Sequence, residues 1–155
     1  MSPADPAILA ITDFTREYPA TVDAERHIDE ALDDMIRLGV RALLVYHEQR
    51  IVGLITSYDI QGERPMQFLQ LSNYSHHRDI CVADIMTPWD ALPALNWETL
   101  QSMRAGDLLH LLEDACLTHV IVVEGDRKNS SCIIRALVSR TRLVRQLAGT
   151  RHAHH

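Results

Sequence analysis

One pattern of helix, strand, turn and strand occurs twice along the chain, and this internal repeat limits the possible folds more than any other feature. In the first copy Ile28, Ala31, Leu32, Met35 and Ile36 recur at helical spacing, which predicts an amphipathic helix. Gly39 supplies a left-handed stop. Ala42-Leu43-Leu44-Val45-Tyr46 reads as a buried strand, His47-Glu48-Gln49-Arg50 as a polar turn, and Ile51-Val52-Gly53-Leu54-Ile55 as the return strand of a hairpin. A short helix is expected from Ser57-Tyr58 to Gly62. In the second copy Leu108, Leu111, Leu112, Ala115 and Cys116 repeat the helical spacing, and Val120-Ile121-Val122-Val123 is the matching strand. A longer turn runs from Gly125 to Ser130, a return strand from Cys132 to Val138, and a closing helix through Leu143, Val144 and Leu147. Aligning Leu43 with Val120 gives an offset of 77, and aligning Gly53 with Ala136 gives 83, so about six extra residues fall in the second turn.

A helix beside a hairpin has a sheet face that it cannot bury alone, and two copies packed sheet against sheet bury those faces mutually. The expected fold is therefore α/β (α+β). With 155 residues there is room for one domain or two small packed ones, and 46% apolar residues supply a core that needs no staples. The first repeat is placed at residues 11–62 and the second at 81–149. Between them, 63–80 reads as a helical connector carrying Pro65, Met66, Phe68, Leu69 and Leu71, with a polar, mobile end from Asn73 to Arg78. Residues 150–155 read as a disordered tail.

A formal net charge of −6 argues against nucleic acid as a partner. Arg135, Arg140, Arg142, Arg145 and Arg151 are the one basic concentration, and a solvated helix face accounts for them. Cys81, Cys116 and Cys132 show no CxxC spacing, and the last two sit among apolar residues as small hydrophobes, which fits a reducing compartment. No apolar run approaches the ~18 residues of a membrane span, and no leader pattern opens the chain, so a cytoplasmic protein is expected. Asp29-Glu30 and Asp33-Asp34 fall on the polar face of the first helix, where solvation explains them, and no phosphate loop, nucleophile elbow or HExxH string occurs. The chain does not read as an enzyme. His76-His77 and the tail histidines His152, His154 and His155 lack metal-site spacing, so no metal is expected.

The most informative string is Gly53-Leu54-Ile55-Thr56-Ser57-Tyr58-Asp59-Ile60, where a strand turns into a helix. Thr56 and Asp59 lie on one side of that junction. Two readings attach to them. They form a helix cap, or the carboxylate accepts a ribose diol while the hydroxyl donates to ribose or phosphate. His119, at a strand start, is a packed polar residue or approaches a phosphate.

The order of these strings resembles the cystathionine-β-synthase-type (CBS) domain family. The first repeat carries Asp13-Phe14-Thr15-Arg16 and Pro19-Ala20-Thr21-Val22, then Glu30-Ala31-Leu32, Gly39-Val40-Arg41-Ala42-Leu43-Leu44-Val45 and the Gly53 to Ile60 string. Val82-Ala83-Asp84-Ile85-Met86-Thr87-Pro88 resembles the opening of a second repeat, and the resemblance spans roughly residues 11 to 149. It implies tandem βαββα units paired by a pseudo-two-fold, a homodimer, and clefts that bind AMP, ADP, ATP or S-adenosylmethionine. Asp59 is then expected to hold the ribose and Thr56 the ribose or phosphate, with Thr21, Val22, Arg41, Ala42 and Leu43 around the base and rim. The implied function is a stand-alone regulatory module that needs no cofactor and passes ligand occupancy to an effector protein through conformational or dimer changes. The alternative is a dimerising scaffold without ligand.

The second repeat departs from the pattern, with Ala136, Ser139 and Arg142 where the first has Gly53, Thr56 and Asp59. Arginine accepts no hydrogen bond from a diol, so its ligand motif is degenerate. Arg142 either reaches a phosphate or pairs with an acidic neighbour. Arg26, where Ser or Thr would cap the first helix, is compatible with a relaxed site.

Overall fold

The computed structural model of the chain describes residues 1–73, 76–125 and 132–153. A 3-10 turn at Ala7–Ala10 precedes the strands and helices, which follow in chain order. The first group is β1 (Thr12–Asp13), β2 (Thr21–Asp23), α1 (Ile28–Leu38), β3 (Ala42–His47), β4 (Arg50–Thr56), α2 (Ser57–Gln61), α3 (Arg64–Leu71), α4 (Val82–Ile85) and β5 (Thr87–Pro88). The second is β6 (Ala94–Asn96), α5 (Trp97–Gln101), α6 (Ala105–Asp114), β7 (His119–Glu124), β8 (Ile133–Ser139) and α7 (Arg140–Ala153). Of the expected turn at 125–130, all but Gly125 lies outside the described residues, as do the last two residues of the expected tail.

The chain separates into a continuous unit, Pro19–Leu92, and a discontinuous one in which Met1–Tyr18 pack with the chain from Pro93 onward. Each holds a four-stranded sheet, ordered β2-β3-β4-β5 in the first and β6-β7-β8-β1 in the second. The two hairpins share one register. Ala42↔Thr56 corresponds to His119↔Ser139, and each pairing down to His47↔Arg50 and Glu124↔Ile133 obeys the offsets 77 and 83. The six extra residues therefore sit in the second hairpin loop. Both hairpins bulge at the same step, leaving Val52 and Arg135 without a partner across the ladder. The bulge turns the Arg135 guanidinium to within 4.1 Å of the Trp97 ring centroid and onto the carboxylates of Glu124 and Asp13.

The lead-in strands are exchanged. β1 opens the first repeat in sequence yet pairs with β8 (Thr12↔Leu137, Asp13↔Ala136). β5 lies at the opening of the second repeat and pairs with β4 in the equivalent register (Leu54↔Thr87, Gly53↔Pro88). In the continuous unit Ile28, Ala31 and Met35 of α1 pack on Leu43, Val45 and Ile55. In the discontinuous unit Leu108 and Leu112 of α6 pack on Val120 and Val138, and Ala7, Ala10 and Ile11 from the amino-terminal segment complete that core.

Gly39 ends α1 at φ 69°, donating its N–H to the carbonyls of Met35 and Ile36. Cys116, 77 positions on, occupies the same left-handed turn at φ 54° and is exposed, not packed among apolar neighbours as its sequence context suggests. α6 ends at Asp114, and the left-handed turn carries the Cys116 side chain outward. A side chain costs roughly 1–2 kcal/mol in this conformation, offset in part by the looser unfolded chain of a glycine. Cys116→Gly is therefore expected to raise stability by about 0.5–1 kcal/mol in urea titrations.

Asp34 is a second correction, because it is not solvated. It is 8% exposed and accepts a two-pronged hydrogen bond from Arg26, Nε at 2.6 Å and Nη2 at 2.9 Å, with Arg37 Nη2 at 3.1 Å. Arg26 thus fastens the lead-in turn to α1 in place of a side-chain cap. The Arg26 hydrogen bonds, more than the charges of Arg26 and Arg37, hold the Asp34 carboxyl below its ordinary value. A depressed value adds stability above the unfolded value near 4 and loses it as the pH falls through the folded one. The advantage of wild type over Asp34→Asn should accordingly be full at pH 7 and vanish in urea titrations well below pH 4.

Candidate functional site

β4 carries the chain to Thr56, which is 6% exposed and in extended conformation, and α2 begins at the next residue. Thr56 Oγ1 accepts the Asp59 N–H at 3.1 Å, and Asp59 Oδ2 accepts the Thr56 N–H at 2.9 Å. This reciprocal pair is a capping box. The cap fixes the carboxylate at the strand–helix junction. Its other oxygen, Oδ1, lies 3.3 Å from Arg64 Nη1. A carboxylate offers about four acceptor positions, so the cap and the ion pair leave capacity for a further donor.

The neighbouring residues follow from the sheet register. Ala42 stands opposite Thr56, and the Arg41 carbonyl accepts the Ser57 N–H at 2.9 Å. The exposed Arg41 side chain donates from Nη1 to the Tyr58 hydroxyl at 3.1 Å. Thr21 is exposed on β2, paired with Leu44. Val22 and Leu43 belong to the core, so the contribution open to them at a ligand is through the main chain.

The family model described as "CBS domain" matches residues 11–64, the segment that contains this junction. Residues 11–64 are a CBS domain. Solved structures extend the likeness of fold to the rest of the chain, which has the architecture of a CBS pair. CBSX2, a CBS-pair protein of Arabidopsis thaliana solved in complex with AMP, superposes with a TM-score of 0.61 at 19% identity, covering 95% of this chain and 98% of that one. An uncharacterized conserved protein from Pyrococcus horikoshii gives a TM-score of 0.63 at 19% identity, covering 94% of each chain. The CBS domain of a bacterial CNNM/CorC family Mg2+ transporter in complex with ATP gives 0.59 at 17% identity, covering 95% of this chain and 89% of that one. A search of curated proteins finds no match.

In the second repeat, His119 occupies the position of Ala42, buried and paired with Ser139, with Nδ1 3.1 Å from the Thr118 hydroxyl. Arg142 occupies the position of Asp59. Its N–H donates to Ser139 Oγ at 3.3 Å, which keeps half of the cap. Its guanidinium donates to Thr12 Oγ1 on β1 at 2.6 Å. His119 and Arg142 thus belong to the discontinuous unit, and the other expected site residues to the continuous one.

Arg64 and Tyr58 are the residues that sequence reasoning passed over. α2 ends at Gln61, so helical spacing does not connect Arg64 to Asp59. One signal was available: Arg64 is the only Lys or Arg between Arg50 and Arg78. Among the described residues no group of three His, Cys, Asp or Glu is placed to hold a metal ion, and no helix is long and apolar enough to cross a membrane. The side chains of the tail histidines lie outside the described residues.

Proposed function

We propose that this protein is a regulatory module whose first repeat binds an adenosyl nucleotide, AMP, ADP or ATP, with Asp59 accepting the ribose hydroxyls. The observation that carries the reading is the Thr56–Asp59 capping box, which presents a fixed, partly unused carboxylate at the end of β4. The AMP and ATP complexes of CBSX2 and of the transporter domain support it. Thr56 is assigned to ribose or phosphate, Thr21, Arg41 and Ala42 to the base and the rim of the site, and Val22 and Leu43 to main-chain contacts there. Occupancy regulates by favouring one arrangement of the repeats, or of two copies of the chain, over another, and a partner protein in the cytoplasm reads the difference.

The test is a thermal-shift series with AMP, ADP, ATP and S-adenosylmethionine on wild type and Asp59→Ala. A nucleotide at a hundred times its dissociation constant should add about 2.7 kcal/mol of stability to wild type, and the gain should disappear in the variant. A gain that survives Asp59→Ala removes the site assignment and leaves binding in place. No gain with any nucleotide, in folded protein free of copurified ligand, leaves the dimerising scaffold as the function.

A further inference from the structure

Arg64 Nη1 has three acceptors around it: Ile85 O at 2.9 Å, Thr87 Oγ1 at 3.2 Å and Asp59 Oδ1 at 3.3 Å. Ile85 and Thr87 flank the junction of α4 with β5, so one guanidinium joins the proposed ribose carboxylate to the exchanged lead-in strand. The nitrogen carries two hydrogens. It donates hydrogen bonds to Ile85 and Thr87 and meets the Asp59 carboxylate as an ion pair, so the position of each bears on the others.

The discontinuous unit has half of this arrangement. Arg142 donates to Thr12, whose place on β1 matches that of Thr87 on β5. Each unit therefore ties an arginine from the chain after its return strand to the lead-in threonine. In the discontinuous unit the arginine stands where the carboxylate would be. In the continuous unit the carboxylate remains, and the arginine comes from five residues further along the chain. Only the Arg64 tether therefore includes the Asp59-type carboxylate.

We propose that Arg64 is a positioning residue for nucleotide binding, turning the Asp59 carboxylate toward the ribose and coupling occupancy to β5. This rests on the nucleotide reading given above. The Thr56 N–H fixes Oδ2 by a hydrogen bond and the Arg64 charge draws Oδ1, so a hydrogen bond and an ion pair together set the carboxylate plane. A diol that donates to the remaining acceptor positions finds this plane already oriented. Bound ligand in turn holds Asp59, Arg64 and the 85–88 segment together.

The experiment is a calorimetric double-mutant cycle with AMP and with adenosine on wild type, Asp59→Asn, Arg64→Gln and the double variant, with hydrogen exchange followed over residues 85–88. Arg64→Gln is expected to weaken both ligands about tenfold, and the double variant to bind no more weakly than Asp59→Asn alone. AMP should slow exchange at 85–88 in wild type and not in Arg64→Gln. Additive losses, or unchanged affinity in Arg64→Gln, overturn the positioning role while the nucleotide reading stands. A penalty confined to AMP assigns Arg64 to the phosphate and also overturns it. Failure of wild type to bind either ligand takes down the nucleotide reading and this inference with it. The coupling has a ligand-free readout as well: Asp59→Asn should speed exchange at 85–88, and unchanged exchange refutes the tie.

Discussion

Replacing Gly53 with valine is expected to cost about 3 kcal/mol of stability, at the upper end of overpacking effects. Gly53 faces Pro88 where β4 and β5 pair, and an added Cβ would run into the Thr87 carbonyl oxygen and stand 2.8 Å from Met86 Sδ. A carbonyl oxygen is backbone and cannot swing aside as the end of a side chain can. β5 must move, and it has only two ladder pairings to hold it. The equivalent position in the discontinuous unit gives the control. Ala136 is fully buried opposite Asp13, and its methyl is accommodated. Ala136→Gly should cost about 1–1.5 kcal/mol, through the lost methyl and the freer unfolded chain. The two equivalent positions thus answer oppositely to a side chain. Urea titrations of both variants check the pair.

The second large effect is expected from removing residues 2–18. Ala7, Ala10 and Ile11 are at most 9% exposed in the core of the discontinuous unit, and β1 supplies its edge pairing with β8. Losing that burial should destabilise this unit by about 4 kcal/mol, from one isoleucine and two alanines. The continuous unit contains none of these residues and should keep its own transition. Trp97 lies in the discontinuous unit and Trp89 in the continuous one, so Trp97→Phe and Trp89→Phe versions separate the two signals. The truncated protein should unfold at lower urea by Trp97 and at unchanged urea by Trp89. A joint shift of both would mean that the units unfold as one.

What was legible in the sequence is what is periodic. The apolar face of α1 and the two hairpins announce themselves because burial imposes a spacing of 3.6 or 2 on many residues at once. The offsets of 77 and 83 then carry through the register pair by pair. The cap at Thr56–Asp59 was legible too, since its geometry depends on local spacing alone. The exchange of lead-in strands was not. β1 and β5 are two residues each, too short for a period, and Thr12 meets Leu137 across 125 positions. Arg64 and Asp34 were missed for a related reason. A single charged residue on a polar face looks the same whether it meets water or a fork of arginine nitrogens. Arg142 shows the limit from the other side, because the sequence identifies the lost carboxylate but not the Thr12 hydroxyl that its replacement meets.

The exchanged β1 also sets an order of events during synthesis. The continuous unit, Pro19–Leu92, can close as soon as its last strand leaves the ribosome. β1 must wait for Leu137, a delay of about 6 to 25 s at ordinary elongation rates. Through that interval it is a strand-forming segment with no strand to join. Asp13, Arg16 and Glu17 keep charge on and just beyond the strand through that wait. A strand made before the continuous unit is thus folded after it.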